Sequence, residues 1–185
     1  MPVLISMLRG VNVGGHNKLK MEALRALCES LKFEDARTYV QSGNIVFQTK
    51  EKNSPVLAAK IQNAIESGFG FRPQVILRTV DELRQVIAAS PFAGRRDLEP
   101  GKLLVTFLAS APDPEARAKL LGLKDHPEEI YVQGREMYIY FPNGAGKSKL
   151  PWSSLEKLLK TTGTARNWNS VTKILAMAEE MEAGN

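Results

Sequence analysis

Four stretches of the sequence concentrate the side chains that could bind a ligand. They combine glycines, which let a ligand approach the backbone, with guanidinium, ammonium, amide and hydroxyl groups that donate hydrogen bonds. Guanidinium and ammonium groups hold carboxylates and phosphates, so the chemistry indicated is the binding of an anion. The predicted ligand-binding residues are Arg9, Gly10, Asn12, Gly14, Gly15, Ser42, Gly43, Asn44, Lys147, Ser148, Lys149, Arg166, Asn167 and Asn169.

Two of these stretches are comparable to nucleotide-binding loops, and neither has the required spacing. Leu8–Gly15 reads G-x-x-x-G-G rather than the G-x-G-x-x-G of dinucleotide-binding folds. Gly146-Lys147-Ser148 resembles the end of a P-loop, but Phe141 stands where that motif needs its first glycine. A P-loop nucleotide hydrolase is therefore disfavoured. The remaining interpretation is a flexible loop whose side chains can donate hydrogen bonds to an anion.

Each stretch also has a purely structural interpretation. The first can be a strand-to-helix crossover that needs glycine dihedrals, and Gln41–Asn44 can be the tight turn of a hairpin. Near the C-terminus, Asn169 can cap a helix, Trp168 can belong to the core and Arg166 can form an ion pair. That interpretation gives Asn167 no structural role, so the ligand-binding alternative stays open.

Groups that could catalyse a reaction are scarce. The chain has two histidines, His16 and His126, and neither has a partner that can be read from the sequence. His16 is the only candidate for a general base. No metal-ligand spacing and no G-x-S-x-G motif is present, so we expect no metal and no cofactor. The lone cysteine, Cys28, lies on an apolar helical stripe and is predicted to be a core residue.

The charge of the chain is mildly basic. Its 185 residues include 25 Lys and Arg against 20 Asp and Glu, a formal net charge of +5. The excess concentrates in Asn143–Lys173, which holds six basic side chains and one acidic one. Such a field attracts anions and weakly favours a nucleotide or nucleic acid as the ligand. The alternative is a solvated lysine face.

Several classes of protein are excluded by composition. A single cysteine rules out a disulfide scaffold and a cysteine-rich zinc site. No apolar run approaches the roughly 20 residues that a membrane span needs. Met1–Leu8 lacks a basic region of the kind that begins a signal peptide. We therefore expect a cytoplasmic protein with no membrane partner.

The apolar periodicity predicts an α+β fold. Strand, helix, hairpin, helix and strand follow one another twice, which is the β-α-β-β-α-β order of a ferredoxin-like unit with an antiparallel sheet packed by helices. We predict one unit over residues 1–78, a connecting helix and linker over 79–101, and a second unit with a C-terminal helix over 102–185, the two packed as one globule. Among the boundaries, Ser54 is predicted to cap a helix that stops at Gly68.

The second predicted hairpin carries aromatic residues. Tyr138 and Tyr140 share one face of their strand, while Met137, Ile139 and Phe141 share the other. Exposed tyrosines could stack on the bases of single-stranded nucleic acid. The alternative is that they line a sheet-to-sheet or subunit interface.

The four stretches together resemble a known family. Leu8–Gly15, Thr38–Phe47, Gly146–Leu150 and Thr164–Val171 are similar, in sequence and order, to the motif series of the bacterial domain-of-unknown-function family DUF1697. The departures are Ser170, where threonine is usual, and Lys147, where arginine is expected. The resemblance implies two intertwined ferredoxin-like units and brings no activity. It also implies that the four stretches form one shared site.

These residues lead to three hypotheses about function. The first is a binding module in which a cleft between the units holds an anionic ligand: a nucleotide, a phosphorylated metabolite or single-stranded nucleic acid. The second is an enzyme that acts on a phosphorylated or carboxylated small molecule. The third is a structural or homo-oligomeric protein whose tyrosine face is its interface. The sequence leaves the oligomeric state open.

Overall fold

The fold consists of two antiparallel sheets with helices packed against them. A computed structural model describes residues 1–150 and 152–184, without the side chain of Trp152, and shows eight strands and six helices in that part of the chain. The strands are β1 (Val3–Leu8), β2 (Glu34–Tyr39), β3 (Asn44–Gln48), β4 (Val75–Thr79), β5 (Leu103–Leu108), β6 (Glu129–Gln133), β7 (Glu136–Tyr140) and β8 (Gly163–Asn167). The helices are α1 (Met21–Ser30), α2 (Ser54–Phe69), α3 (Val80–Ala88), α4 (Pro114–Leu121), α5 (Trp152–Leu159) and α6 (Trp168–Ala183).

Contacts divide the chain into two compact units. The first comprises Met1–Gln85 and the C-terminal segment that starts at Thr172, and the second comprises Val86–Val171. This grouping differs from the predicted boundaries after residues 78 and 101, which follow the order of the elements along the chain. Those boundaries stay a prediction.

The first unit has a four-stranded sheet in the order β2-β3-β1-β4, in which every neighbouring pair is antiparallel. Alternate residues of β1, Leu4 and Leu8, point into an apolar core with Ile45 and Phe47 of β3. Leu24 and Cys28 of α1, and Leu57, Ile61 and Ile65 of α2, complete this core. The two helices therefore bury apolar residues in this core, and Cys28 is a core residue as predicted.

The second unit repeats this arrangement. Its sheet has the order β6-β7-β5-β8, again wholly antiparallel, and its elements follow the same β-α-β-β-α-β order. Met137 and Ile139 of β7 pack with Leu120 of α4 and with Leu155 and Leu159 of α5. The predicted α+β fold with two ferredoxin-like units is confirmed.

Helix ends follow their capping residues, and two of the predicted boundaries are wrong. Asn53, not Ser54, caps α2, because its side chain accepts a hydrogen bond from the backbone N–H of Val56 at 3.1 Å. The helix passes through Gly68 and ends at Gly70, which has the left-handed φ of 76°. An exposed glycine inside a helix is tolerated at a small cost, whereas the left-handed turn at Gly70 ends the helix.

The sequence Thr79-Val80-Asp81-Glu82 predicts a capping box, and the structure has one at the start of α3. The backbone N–H of Thr79 donates to Glu82 at 2.8 Å, and the N–H of Glu82 donates to the Thr79 hydroxyl at 3.1 Å. Within the described residues, none of the helices is long and apolar enough to cross a membrane.

The C-terminal part of α6 is tied to α3 by ion pairs. The Arg84 guanidinium donates to Glu179 at 2.8 Å and to Glu182 at 2.8 Å, and it also pairs with Asp81 of its own helix at 2.7 Å. Hydrogen bonds to these carboxylates raise the pKa of Arg84 above its usual range. These contacts place the end of α6 in the first unit, although it follows the second unit in the chain.

We expect Cys28 to resist thiol reagents while the chain is folded. Burial among apolar residues of the first unit raises the pKa of its thiol to about 12, so the reactive thiolate is about one part in 10,000 at pH 8. The measurement is the rate of labelling by a chromogenic disulfide reagent. Complete labelling in 6 M guanidinium is the control, and rapid labelling of the native protein would contradict the buried placement.

Candidate functional site

The polar residues of the first glycine-rich stretch bond to the loop itself. The Asn12 amide donates to the backbone carbonyls of Leu19 and Gln41, both at 2.8 Å, and its oxygen accepts from the N–H of Leu19 at 2.9 Å. Gly14 and Gly15 form a tight turn with left-handed φ values of 57° and 79°. The structural interpretation, a crossover that needs glycine dihedrals, therefore describes this stretch, and Asn12 fastens it in place.

The hairpin tip between β2 and β3 is built in the same way. Asn44 is fully buried, and its amide donates to the Tyr39 carbonyl and the Ser42 hydroxyl, both at 2.9 Å. Gly43 has a φ of 79°, and a Cβ there would lie 2.9 Å from the Cβ of Leu8. These three predicted ligand-binding residues thus form a turn that only glycine permits.

The structure brings the first two stretches together at one end of β1. The N–H of Leu8 donates to the Gly43 carbonyl at 3.0 Å, beside the bond from Asn12 to Gln41. Arg9 is half-buried, and its side chain lies 3.5 Å from the Gln74 side-chain oxygen. The remaining predicted residue of this group is Gly10, which is exposed.

The predicted residues around the end of β8 also serve the fold. Arg166 is 6% exposed, and its guanidinium donates to the Thr164 hydroxyl at 2.7 Å and to the Ala165 carbonyl at 2.9 Å. Burial lowers the pKa of Arg166 to about 10. A guanidinium held this deeply is not an open clamp for a ligand.

Asn167 caps the last helix, so the predicted cap at Asn169 is wrong. The Asn167 side-chain oxygen accepts from the N–H of Ser170 at 2.8 Å. Helix α6 starts at Trp168, so this bond joins the N-cap to the third helical residue, as a cap requires. Asn169 is exposed in the first turn of the helix.

The predicted tyrosine face is covered by this chain. Tyr138 is 1% exposed and Tyr140 8% exposed. The Tyr138 hydroxyl donates to the Val86 carbonyl at 2.7 Å, and burial raises its pKa above the usual range. Tyr140 packs against Phe92, with ring centroids 6.2 Å apart. Neither tyrosine is available to stack on a nucleic-acid base.

A cavity of about 440 Å³ lies within the second unit. Its wall comes from the loop before β6 and the loop after β7, and it includes the predicted residues Lys147 and Lys149. The lining residues are Leu123, Lys124, Asp125, His126, Pro127, Glu128, Asn143, Lys147, Lys149 and Leu150.

The pairing of β6 with β7 explains why these two loops meet. In the antiparallel register Glu129 lies opposite Tyr140, so the residue before β6 and the residue after β7 stand at the same end of the hairpin. Glu128 therefore lies next to the chain that leaves β7 and reaches Ser148. The Ser148 hydroxyl donates to Glu128 Oε1 at 2.7 Å and accepts from the N–H of Leu150 at 3.1 Å. Ser148, a predicted site residue, joins the two loops.

Glu128 is a buried carboxylate with one oxygen left over. Its side chain is 4% exposed, and Oε2 has no hydrogen-bond partner among the described residues. The neighbouring His126 Nδ1 lies 3.6 Å from Oε2 and is likewise without a partner in the described part of the chain. The two atoms therefore lie at ion-pair distance from each other, but too far apart for a hydrogen bond.

Three lysines line the same cavity as this pair. Lys124, Lys147 and Lys149 are exposed, and none forms an ion pair with a carboxylate among the described residues. Asp125 and Glu128 also line the cavity, which leaves the lining with one more positive than negative group when His126 is neutral. The exposed lysines can attract an anion to this cavity.

Comparison with known proteins identifies the family of this chain. Residues 1–138 of the 185 match the family described as a protein of unknown function, DUF1697. The chain belongs to the DUF1697 family. The resemblance found in the sequence is therefore confirmed, although the match stops before the stretches around Lys147 and Arg166.

A solved structure shows that the fold extends over the whole DUF1697 chain. The conserved bacterial protein from Streptococcus pneumoniae superposes with a TM-score of 0.77 at 22% sequence identity. The alignment covers 97% of this chain and 99% of that one. At this identity the likeness establishes the fold alone. No protein with a curated description matches the chain.

The sequence of the DUF1697 protein did not reveal Lys124, His126 and Glu128 as site residues. His126 and Glu128 are only two positions apart, in a loop that leads into a strand. That proximity is a usable signal, but burial of a loop glutamate depends on tertiary packing. Whether all four predicted stretches share one site stays a prediction.

The assignment of Asn167 as the N-cap of α6 in this DUF1697 chain can be tested directly. We expect Asn167→Ala to lower the free energy of unfolding by about 1 kcal/mol, because the N–H of Ser170 loses its acceptor. Urea denaturation measures this, and Asn169→Ala, the rival cap, should have the smaller effect. A larger loss in Asn169→Ala would reverse the assignment.

Proposed function

We propose that this protein binds a small phosphorylated molecule in the cavity of the second unit. The observation that carries the proposal is a cavity whose lining includes a buried carboxylate and three exposed lysines that form no ion pair among the described residues. Among the ligands expected from the sequence, this combination favours a phosphorylated metabolite or nucleotide.

The size of the cavity supports a small ligand. A volume of about 440 Å³ falls within the range of roughly 300–1,000 Å³ that is typical of small-molecule sites. The apolar part of the wall, from Leu123, Pro127 and Leu150, can contact a carbon skeleton while the polar groups fix its orientation.

The charge of the rim supports an anion. Lys147 and Lys149 lie two positions apart on a loop that Ser148 anchors to Glu128. An ammonium group is a compact point charge that suits phosphate, and hydrogen bonds to charged groups contribute about 1.5–3 kcal/mol each. Lys147 departs from the arginine of the family's motif, but it keeps the positive charge.

Single-stranded nucleic acid is less well supported as the ligand. Recognition of unpaired bases relies on exposed aromatic platforms. Tyr138 and Tyr140, the two tyrosines considered for that role, are buried. A covered tyrosine face also removes the feature on which the homo-oligomeric alternative was based.

The enzyme alternative stays a prediction. His16, the general base considered from the sequence, lies on the exposed Gly14-Gly15 turn and is not a lining residue of the cavity, whereas His126 is. Phosphorylated small molecules are kept inside cells by their charge, so the proposal includes the cytoplasmic location expected from the sequence.

Charge reversal of the rim tests the proposal. We expect Lys147→Glu with Lys149→Glu to weaken binding of sugar phosphates and mononucleotides at least tenfold, because two attractive charges become repulsive. Isothermal titration calorimetry at low salt measures the dissociation constants. The matched control is Lys50→Glu with Lys52→Glu, which changes the net charge equally on an exposed loop of the first unit.

The control separates a local effect from a general one. Equal loss in both double variants would mean that net charge, not the cavity, determines binding. Absence of binding by the wild-type protein to every phosphorylated compound in the panel would contradict the proposal.

A further inference from the structure

We propose that one end of the first sheet binds double-stranded DNA, with the exposed turn at residues 13–16 in the major groove. Three loops form this end of the sheet, which we name the loop end: residues 9–20 after β1, residues 40–43 between β2 and β3, and residues 70–74 before β4. The loop end belongs to the first unit, whereas the cavity lies within the second, so this interface goes beyond the proposed function.

Hydrogen bonds join the three loops into one surface. Strand β1 runs antiparallel to both β3 and β4, so the loop after β1 lies beside the loops before β3 and β4. The Asn12 side-chain amide donates to the Gln41 carbonyl at 2.8 Å. The N–H of Arg9 donates to the Gln74 carbonyl at 2.9 Å. The loop end is therefore one continuous part of the first unit.

The loop end carries positive charge and no negative charge. Its three loops contain Arg9, Lys18, Lys20 and Arg72, and they contain no Asp or Glu. Arg72 pairs with Glu66 of α2 at 2.7 Å. Lys18 and Lys20 are exposed, and neither forms an ion pair with a carboxylate among the described residues. Positive charge that the fold leaves uncompensated attracts an anionic partner.

Lys20 stands where the fold alone favours a different residue. It occupies the N-cap position of α1, and no side chain there accepts from the N–H groups of the helix. Ser, Thr, Asp and Asn are favoured at an N-cap, and a cation next to the positive end of a helix dipole is unfavourable. Glu22 in the first turn compensates for part of this effect. An anion from a partner would compensate for the rest.

The tip of the first loop is a tight and exposed β-hairpin. The N–H of His16 donates to the Val13 carbonyl at 3.0 Å, which closes a turn around Gly14 and Gly15. Both glycines have left-handed φ values, as a type I′ hairpin turn requires. All four residues are exposed. The bonds of Asn12 to Leu19 and Gln41 fix the base of this hairpin, so it is a short, rigid ribbon of two strands.

The donors of the loop end are those that contact phosphates in DNA complexes. Arg and Lys side chains, amide side chains and backbone N–H groups make most such contacts. The backbone N–H groups of Gly14 and Gly15 have no acceptor within the described part of the chain, and the Gln41 side chain is exposed. Because glycine has no Cβ, a phosphate oxygen can approach these N–H groups closely.

The shape of the hairpin favours duplex DNA over other nucleic acids. The major groove of B-DNA is about 12 Å wide and admits a two-stranded β-ribbon, whereas that of an RNA duplex is too narrow for side chains. Single strands are bound through exposed aromatic platforms. Phe71, the one Phe, Tyr or Trp of the three loops, packs against the core. Val13 is 63% exposed beside the turn and can contact the methyl group of thymine.

The test measures binding to a fluorescein-labelled DNA duplex of 20 base pairs by fluorescence anisotropy. We expect a dissociation constant below about 100 µM at 50 mM NaCl. With phosphate contacts from Arg9, Lys18 and Lys20, the affinity should fall about fortyfold between 50 and 200 mM NaCl. The competing probes are single-stranded DNA, an RNA duplex of the same sequence and poly-glutamate of matched charge, and each should bind at least fivefold more weakly.

Two variants test the charge and the hairpin separately. Lys18→Glu with Lys20→Glu should weaken binding of the DNA duplex at least tenfold and reduce the slope of affinity against salt by about two. Val13→Ser should weaken binding at least threefold and leave that slope unchanged, because it removes an apolar contact and no charge. The matched control is Lys50→Glu with Lys52→Glu, which should stay within twofold of wild type. Circular dichroism and the melting temperature establish that each variant is folded.

The outcomes that overturn the proposal are distinct. Equal loss in the two charge-reversal variants would assign binding to net charge rather than to the loop end. Equal affinity for single-stranded DNA or the RNA duplex would contradict the placement of the hairpin in the major groove. Equal affinity for poly-glutamate would assign the loop end to acidic proteins. No binding of the DNA duplex by the wild-type protein at 50 mM NaCl would refute the interface as a whole.

Discussion

The antiparallel register of β6 with β7 is the constraint on which the candidate site depends. Because Glu129 lies opposite Tyr140, the loop before β6 and the loop after β7 are held at one end of the hairpin. A shift of one residue would exchange the two faces of the strand, so that Tyr138 and Tyr140 would replace Met137 and Ile139 in the core that the latter share with α4 and α5. The apolar core thus fixes the register, and the register in turn fixes the position of Glu128 relative to Ser148.

A buried carboxylate is a feature that stability alone does not explain. Glu128 gives up hydration and recovers one hydrogen bond from Ser148, while its other oxygen lies 3.6 Å from His126 Nδ1 without a hydrogen bond, at a cost of about 1–3 kcal/mol. An apolar side chain at the same position would avoid that cost. Such an arrangement is expected at a functional site, where departures from complete hydrogen bonding are more common than in the rest of a fold.

The sequence predicted the elements well and the site only in part, for a physical reason. Strand and helix patterns are local, so the apolar periodicity indicated both ferredoxin-like units, and the Thr79–Glu82 capping box could be read directly. The cap of α6 was misplaced by two positions because Asn167 and Asn169 are equally good caps, and only the end of β8 decides between them. Burial of Glu128 depends on residues about 20 positions away, and no local pattern reports it.

A stretch of sequence rich in polar side chains can stabilise loops and helix ends or can bind a ligand. The hydrogen-bond partners of each side chain distinguish the two roles. The amides of Asn12 and Asn44 donate to backbone carbonyls. The Asn167 side-chain oxygen accepts from a backbone N–H in the first turn of α6, and the Arg166 guanidinium donates to residues of β8. These groups shape loops and helix ends, so reversing the charge of Arg166 would test folding rather than binding. Lys147 and Lys149 have no such partner within the described residues and line a cavity. Donors that the fold leaves unused, next to a cavity, are the ones that a ligand can engage.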